Sequence, residues 1–81
     1  MNLARLPVGE AARVESVADD SPVSARLLDL GFVPGTEVRA LRRAPLGDPT
    51  LYELRGAQLC LRRSEAERIQ VSLLPAREAG R

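Results

Sequence analysis

The chain contains 81 residues, of which 44% are hydrophobic and 28% charged, and its formal net charge is +1. These values predict one small globular domain, and they provide no strong field to attract nucleic acid or a membrane surface. No apolar run approaches the roughly 18 residues that a membrane-spanning helix needs. The N-terminal residues also lack the apolar stretch of a signal peptide, so we expect a cytoplasmic protein.

The first ten residues are expected to form an extended lead-in, with Leu3 and Leu6 turned toward the body of the domain. Over 12–18, small apolar residues alternate with charged ones, and this period of two predicts a half-buried strand. The alternation breaks near Ser16, which indicates a β-bulge at that point.

A helix is predicted over 22–30. Its apolar residues recur at helical spacing, and Pro22 suits a first turn because the missing N–H is not needed there. Ser21 and the two aspartates before it offer N-cap oxygens. Gly31 is expected to end the helix in a left-handed conformation. The apolar stripe consists of Val23, Leu27, Leu28 and Leu30.

The Pro-Gly pair at 34–35 predicts a type II turn, after which 36–44 is predicted as the second strand. Val38 and Ala40 share one face of this strand, whereas Leu41 falls on the other. A strongly bent barrel strand accounts for that change of face.

The rest of the chain alternates short apolar segments with turn residues, and its pattern predicts a hairpin, a helical turn and a last strand. These elements are strands at 50–55 and 58–62, a turn at 64–68 with Ser64 and Glu67 as a capping box, and a strand over 69–73. Five short antiparallel strands with one helix between the first two predict a mostly β fold, a small SH3-like barrel. We expect a single domain over 1–75 and a flexible tail over 76–81.

The residue types present argue against an enzyme. The chain has no histidine, the commonest general base and transition-metal ligand. Its one cysteine, Cys60, cannot form an internal disulfide and has no histidine to activate it, so we interpret it as a small buried residue of a strand.

Two charged features admit both a functional and a structural interpretation. Asp19 and Asp20 could ligate a hard cation or Fe²⁺, but a cap and a favourable helix-end charge explain them better. The arginine doublets at 42–43 and 62–63 could bind nucleic acid, yet the scarcity of aromatic residues favours solvated strand edges. We therefore predict no dedicated intramolecular metal site and no nucleic-acid partner.

The loop at 45–49, Pro-Leu-Gly-Asp-Pro, is the most specific local pattern. It is either a rigid connector or a preorganised contact, and the sequence leaves both interpretations open. In the second case Leu46 is an exposed apolar tip beside Arg42 and Arg43.

The stretch from Leu27 to Val71 resembles the ferrous iron transport protein A family, FeoA. The resemblance lies in the Leu-Gly at the helix end, the Val-Pro-Gly turn at 33–35, the Ala-Pro-Leu-Gly-Asp-Pro loop at 44–49 and the Leu-x-Leu-Arg strand at 59–62. It implies an SH3-like barrel and a small cytosolic accessory to FeoB, the ferrous iron permease, which has a cytosolic GTP-binding part. The family supplies no metal-ligand motif to transfer to this chain.

The resemblance leads us to expect a protein–protein interaction module that binds the cytosolic part of the permease. The expected contact residues are Arg42, Arg43, Pro45, Leu46, Gly47 and Asp48, with Asp29 and Phe32 at the helix end. One alternative is a direct carrier or sensor of Fe²⁺ that uses carboxylates and Cys60 in a dimer. Another, less favoured, is a small barrel that binds nucleic acid.

Overall fold

A computed structural model describes residues 1–75, and the predicted tail at 76–81 lies outside the described residues. The strands are β1 (Ala11–Val17), β2 (Glu37–Arg43), β3 (Thr50–Leu54), β4 (Ala57–Leu61) and β5 (Ile69–Leu73). The helices are a 3₁₀ turn (Leu3–Arg5), α1 (Pro22–Leu30) and α2 (Arg63–Ala66). In this part of the chain, no helix is both long enough and apolar enough to cross a bilayer.

The five strands form one antiparallel sheet in the order β4-β3-β2-β1-β5. This arrangement confirms the predicted mostly β class and its single helix of any length between the first two strands. Over the described residues no strand ladder joins β4 to β5, and α2 connects these two ends of the sheet.

Two irregularities interrupt the strand registers. The pairing of β1 with β5 shifts between Val14 and Ser16, as the broken alternation predicted. The pairing of β2 with β3 shifts between Ala40 and Arg42. This second bulge includes Leu41 and accounts for its change of face, because an extra residue on one strand resets the side-chain alternation.

The N-terminal segment is part of the core rather than a lead-in on its surface. Leu3 begins the 3₁₀ turn, so the prediction of an extended segment is wrong there, and both Leu3 and Leu6 are fully buried. The segment is fixed to the last strand, because Asn2 forms a β-bridge with Gln70 and the Val71 N–H donates to the carbonyl oxygen of Met1.

Helix α1 has the predicted bounds, and its C-terminal end is set by Gly31. That residue has φ +117°, and its N–H donates to the carbonyl oxygen of Leu28. A Cβ on Gly31 would lie 3.2 Å from Cδ2 of Leu54, so glycine is required both for the conformation and for close packing on β3.

The caps of both helices differ from the prediction. Ser21 is the N-cap residue of α1, but its hydroxyl makes no hydrogen bond to the helix. Helix α2 begins at Arg63, one residue before the predicted cap. The Arg62 N–H donates to Oε1 of Glu65 at 2.9 Å, so the box formed by Ser64 and Glu67 was wrong by two positions.

Candidate functional site

The loop between β2 and β3 holds its shape through its own backbone. The Ala44 N–H donates to the carbonyl oxygen of Pro49 at 3.0 Å, and the Gly47 N–H donates to that of Ala44 at 2.7 Å. Gly47 adopts φ +93°, and the Asp48–Pro49 peptide is cis. The loop is therefore a tight, internally bonded projection from the end of the barrel.

Leu46 lies at the tip of this loop and is 95% exposed. A single exposed leucine is ordinary on a protein surface. Leu46 differs because a loop with internal hydrogen bonds fixes its exposed position next to an apolar depression. A preorganised apolar side chain loses little conformational entropy when a partner covers it.

The depression beside the loop is a groove of about 300 Å³. The strand pairing brings its residues together, because Leu51 of β3 lies opposite both Arg42 of β2 and Cys60 of β4. Its apolar lining consists of Ala44, Pro45, Pro49, Leu51 and Cys60. The groove therefore offers an apolar surface, and Arg42 and Arg43 complete its lining.

Cys60 is exposed, so the prediction of a buried strand residue is wrong. It lies on the outer face of β4, whereas its neighbour Leu61 faces the core. Flanking leucines suggested burial, but the structure buries only one of them deeply; Leu59 is half-buried.

The two arginines of the predicted surface have different roles. Arg42 is exposed and lines the groove. Arg43 is half-buried, and it donates from Nε to Oγ1 of Thr50 at 2.9 Å and from Nη2 to the carbonyl oxygen of Leu6 at 3.0 Å. Arg43 therefore joins β2, β3 and the N-terminal segment, and a charge swap there would disturb the fold as well as any contact.

Asp48 also has a structural contact. Its Oδ1 accepts a hydrogen bond from the Arg63 N–H at 2.9 Å, which satisfies a donor at the start of α2. Pro45 is exposed, and Gly47 is half-buried in the turn of the loop. Of the loop residues, Leu46 and Pro45 are thus the most accessible to a partner.

The helix end lies apart from the loop. Gly31 packs against Leu54, the last residue of β3, whereas the loop joins Thr50, the first residue of that strand. Four residue steps along a strand correspond to about 13 Å. Asp29 is exposed at this distant end, so the structure does not bring it together with the loop.

Phe32 is fully buried in the core, and its inclusion in the predicted contact surface was wrong. The same helix end instead exposes three apolar residues that the prediction missed: Leu28 at 38%, Leu30 at 44% and Val33 at 36%. Leu28 and Leu30 were both assigned to the apolar stripe of the helix, and their exposure corrects that prediction. The available signal was the length of the apolar run around Gly31, which is more than one helix face can bury.

Of the two adjacent aspartates before α1, Asp20 forms an ion pair. Asp20 pairs with Arg68, whose Nη1 also lies 3.5 Å from Oγ of Ser24. Asp20 therefore connects the start of α1 to the approach to β5 rather than capping the helix. Among residues 1–75, no three His, Cys, Asp or Glu side chains form a cluster that could hold a metal ion.

Tyr52 lies on the inner face of β3, next to the loop. It is 1% exposed, and its hydroxyl donates to the carbonyl oxygen of Leu3 at 3.4 Å. Burial raises the pKa of this phenol, while hydrogen bonding to Thr50 and the charge of Arg43 act in the opposite direction. The neutral phenol is thus the form that the folded protein favours.

The FeoA domain family model matches residues 1–73. The chain belongs to the FeoA family. That family is associated with ferrous iron transport as an accessory domain, and its solved members share this SH3-like fold.

Three relatives place the chain within the family. A fusion of Fe(2+) transport protein A with the Fe(2+) transporter FeoB, from Porphyromonas gingivalis, is 34% identical over 74 residues. FeoA from Stenotrophomonas maltophilia, crystallised in complex with zinc, is 39% identical with a TM-score of 0.81, and 89% of each chain is covered. FeoA from Chlorobium tepidum is 45% identical with a TM-score of 0.85, covering 99% of this chain and 76% of that one.

The fusion protein is much longer than the chain described here. The match covers 91% of this chain but only 9% of the fusion protein. It therefore shows that an FeoA domain and FeoB occur in one polypeptide, which supports an association between the two.

Proposed function

We propose that this chain regulates ferrous iron uptake by binding the cytosolic GTP-binding part of the FeoB permease. The observation that carries the proposal is the fusion relative, in which one polypeptide contains both an FeoA domain and the transporter. Covalent linkage keeps two modules at high effective concentration, which is useful when the modules act on one another.

The contact surface we propose centres on Leu46 and the adjoining groove. Leu46 supplies an apolar anchor on a loop that is already ordered, and Leu51 and Cys60 supply an apolar floor for a partner side chain. Arg42 lies at the groove and adds an exposed positive charge. Interfaces commonly concentrate their binding energy in such a central apolar contact with polar groups around it.

Such a module can regulate without catalysing a reaction. It needs only to bind one conformation or nucleotide state of the permease more tightly than another. A preference of about 1.4 kcal/mol shifts the balance between two states roughly tenfold. The loop suits this function, since its own backbone hydrogen bonds hold the proposed contact surface in place.

Calorimetric titration of the full chain into the purified GTP-binding domain, with and without a GTP analogue, tests the proposal. We expect saturable binding whose affinity changes with nucleotide. The Leu46→Ser variant should bind the GTP-binding domain more weakly, by about tenfold or more. Leu73→Ser is the matched control, because Leu73 is 50% exposed on β5 and lies outside the groove.

A folded sample that shows no heat with the permease domain in either nucleotide state would overturn the proposed partner. If Leu46→Ser and Leu73→Ser lose the same amount of affinity for the permease domain, the proposed partner stands but the loop is not the contact surface.

A second candidate function is direct binding of a transition metal. The Stenotrophomonas relative crystallised with zinc favours it, and an exposed Cys60 with carboxylates from two copies could supply ligands. Anaerobic calorimetry with Fe²⁺ tests this candidate. Stoichiometric heat that Cys60→Ser removes would support it, and the absence of heat at high micromolar protein would reject it.

A further inference from the structure

A second depression adjoins the same loop on the opposite face of β3. It is a cleft of about 170 Å³, lined by Ala4, Arg43, Gly47, Thr50, Tyr52 and Arg63. Thr50 and Tyr52 alternate with Leu51 along the strand, so the cleft and the groove are on different faces. Arg43 lines both of them.

The cleft collects hydrogen-bond donors. A guanidinium has five N–H groups. Arg43 donates one to Thr50 and one to Leu6 and also interacts with the hydroxyl of Tyr52, so no more than three remain. Arg63 reaches across the loop, because its Nη2 lies 3.6 Å from the position that a Cβ on Gly47 would occupy. The hydroxyls of Thr50 and Tyr52 are at the floor, in residues that are 6% and 1% exposed.

Neither of these two guanidiniums forms an ion pair within residues 1–75. The ion pairs of this part of the chain are Arg26 with Glu65 and Arg68 with Asp20. Asp48 does not line the cleft, and its Oδ1 accepts a hydrogen bond from the backbone N–H of Arg63. Its charge reaches the phenol of Tyr52, whose pKa it raises, so one carboxylate lies near the cleft without pairing with either guanidinium. Two positive charges therefore face a small polar space.

We infer that this cleft binds a small oxyanion, a phosphate or carboxylate group held between Arg43 and Arg63. The guanidinium fork matches the oxygens of both groups and forms strong charge-assisted hydrogen bonds with them. A liquid water occupies about 30 Å³, so a cleft of about 170 Å³ holds one such group with a few waters.

The assignment of this oxyanion to a partner protein rests on the proposed function. Groove and cleft adjoin the same loop, and a partner segment that covers Leu46 with an apolar side chain can place an Asp or Glu carboxylate in the cleft. Free phosphate is the other source of the same chemistry, and the experiment separates the two.

The first arm of the experiment titrates the full chain with sodium phosphate, at ionic strength held constant with sodium chloride, and follows amide and Arg Nε–H resonances. We expect saturable shifts at Gly47, Thr50 and Arg43. Arg63→Gln should weaken phosphate binding about three- to fivefold, the size of an exposed ion pair. This variant keeps the backbone N–H that Asp48 accepts.

Arg62→Gln is the matched control. It removes the same charge at the neighbouring position, and the Arg62 side chain does not line the cleft. Its phosphate affinity should stay near that of the wild type. Shifts that do not saturate, or an equal loss in Arg62→Gln and Arg63→Gln, would overturn the inference and show a general charge effect.

The second arm adds phosphate to the titration with the permease domain. A rise in the apparent Kd of the wild type, absent in Arg63→Gln, would show that a partner carboxylate occupies the cleft. Phosphate binding without competition would support the cleft and assign it to free phosphate. If the chain binds phosphate but does not bind the permease domain, the oxyanion site stands and the proposed function is rejected.

Discussion

Arg43 donates a hydrogen bond from Nη2 to the carbonyl oxygen of Leu6, 37 residues earlier in the chain. The same guanidinium donates to Thr50. One side chain therefore joins the N-terminal segment to the two strands that carry the loop.

Replacing Arg43 should destabilise the fold, whereas replacing its neighbour should not. We expect Arg43→Gln to lower the free energy of unfolding by about 1–3 kcal/mol, because it leaves partly buried acceptors without their charged donor. Arg42→Gln, at an exposed side chain, should stay within about 0.5 kcal/mol of the wild type. Urea unfolding of both variants checks this, and equal values would contradict the structural role of Arg43.

Phe32 should matter for stability and not for partner recognition. Phe32→Ala removes a fully buried side chain and should cost about 3–5 kcal/mol of unfolding free energy. Val33→Ala, at the adjacent exposed position, should cost about 0.5 kcal/mol or less. Thermal and urea unfolding measure the difference, and a small effect of Phe32→Ala would mean that the phenyl ring is not in the core.

Cys60 should react with a thiol reagent in the native protein. Because the residue is exposed on β4, one equivalent of reagent should react in native buffer at a rate close to that in denaturant. Cys60→Ser should abolish the reaction and leave the urea midpoint almost unchanged. A native thiol that reacts only as fast as the protein unfolds would indicate burial.

Tyr52 should make stability fall at high pH. Burial raises the pKa of the phenol above its ordinary value of 10.0, so the folded state binds its proton more tightly than the unfolded state. The resulting stabilisation is fully present below the unfolded pKa and is lost as pH rises through the folded one.

The chain contains one tyrosine, so ultraviolet absorbance of its phenolate reports this titration directly. Tyr52→Phe should show a flatter dependence of unfolding free energy on pH above about 10. A phenol that titrates in the folded protein as it does in denaturant would contradict the burial argument.

Regular patterns in the sequence were sufficient for much of the fold. Alternation located β1 and its bulge, and the pairing of Pro22 with Gly31 gave both ends of α1. These features depend on local backbone chemistry, which neighbouring residues determine. The FeoA resemblance and the SH3-like class agreed with them independently.

The proposed interaction surface was harder to predict, because it depends on which face of a strand each residue occupies. A bulge at Leu41 resets the alternation of β2, so Arg42 and Arg43 have different environments although they are adjacent. The burial of Phe32 and the exposure of Cys60 are likewise set by long-range packing. Neither property follows from the identity of the flanking residues.

The pairing of the two ends of the described chain has a consequence for the order of folding. Asn2 forms a β-bridge with Gln70, and the Val71 N–H donates to the carbonyl oxygen of Met1. The N-terminal segment therefore needs β5 in place to make its backbone contacts. During synthesis the segment that holds Met1 and Asn2 must wait for β5, some 70 residues later, before these contacts can form. Contacts of such high sequence separation slow folding, and we expect Leu3 and Leu6 to become ordered late.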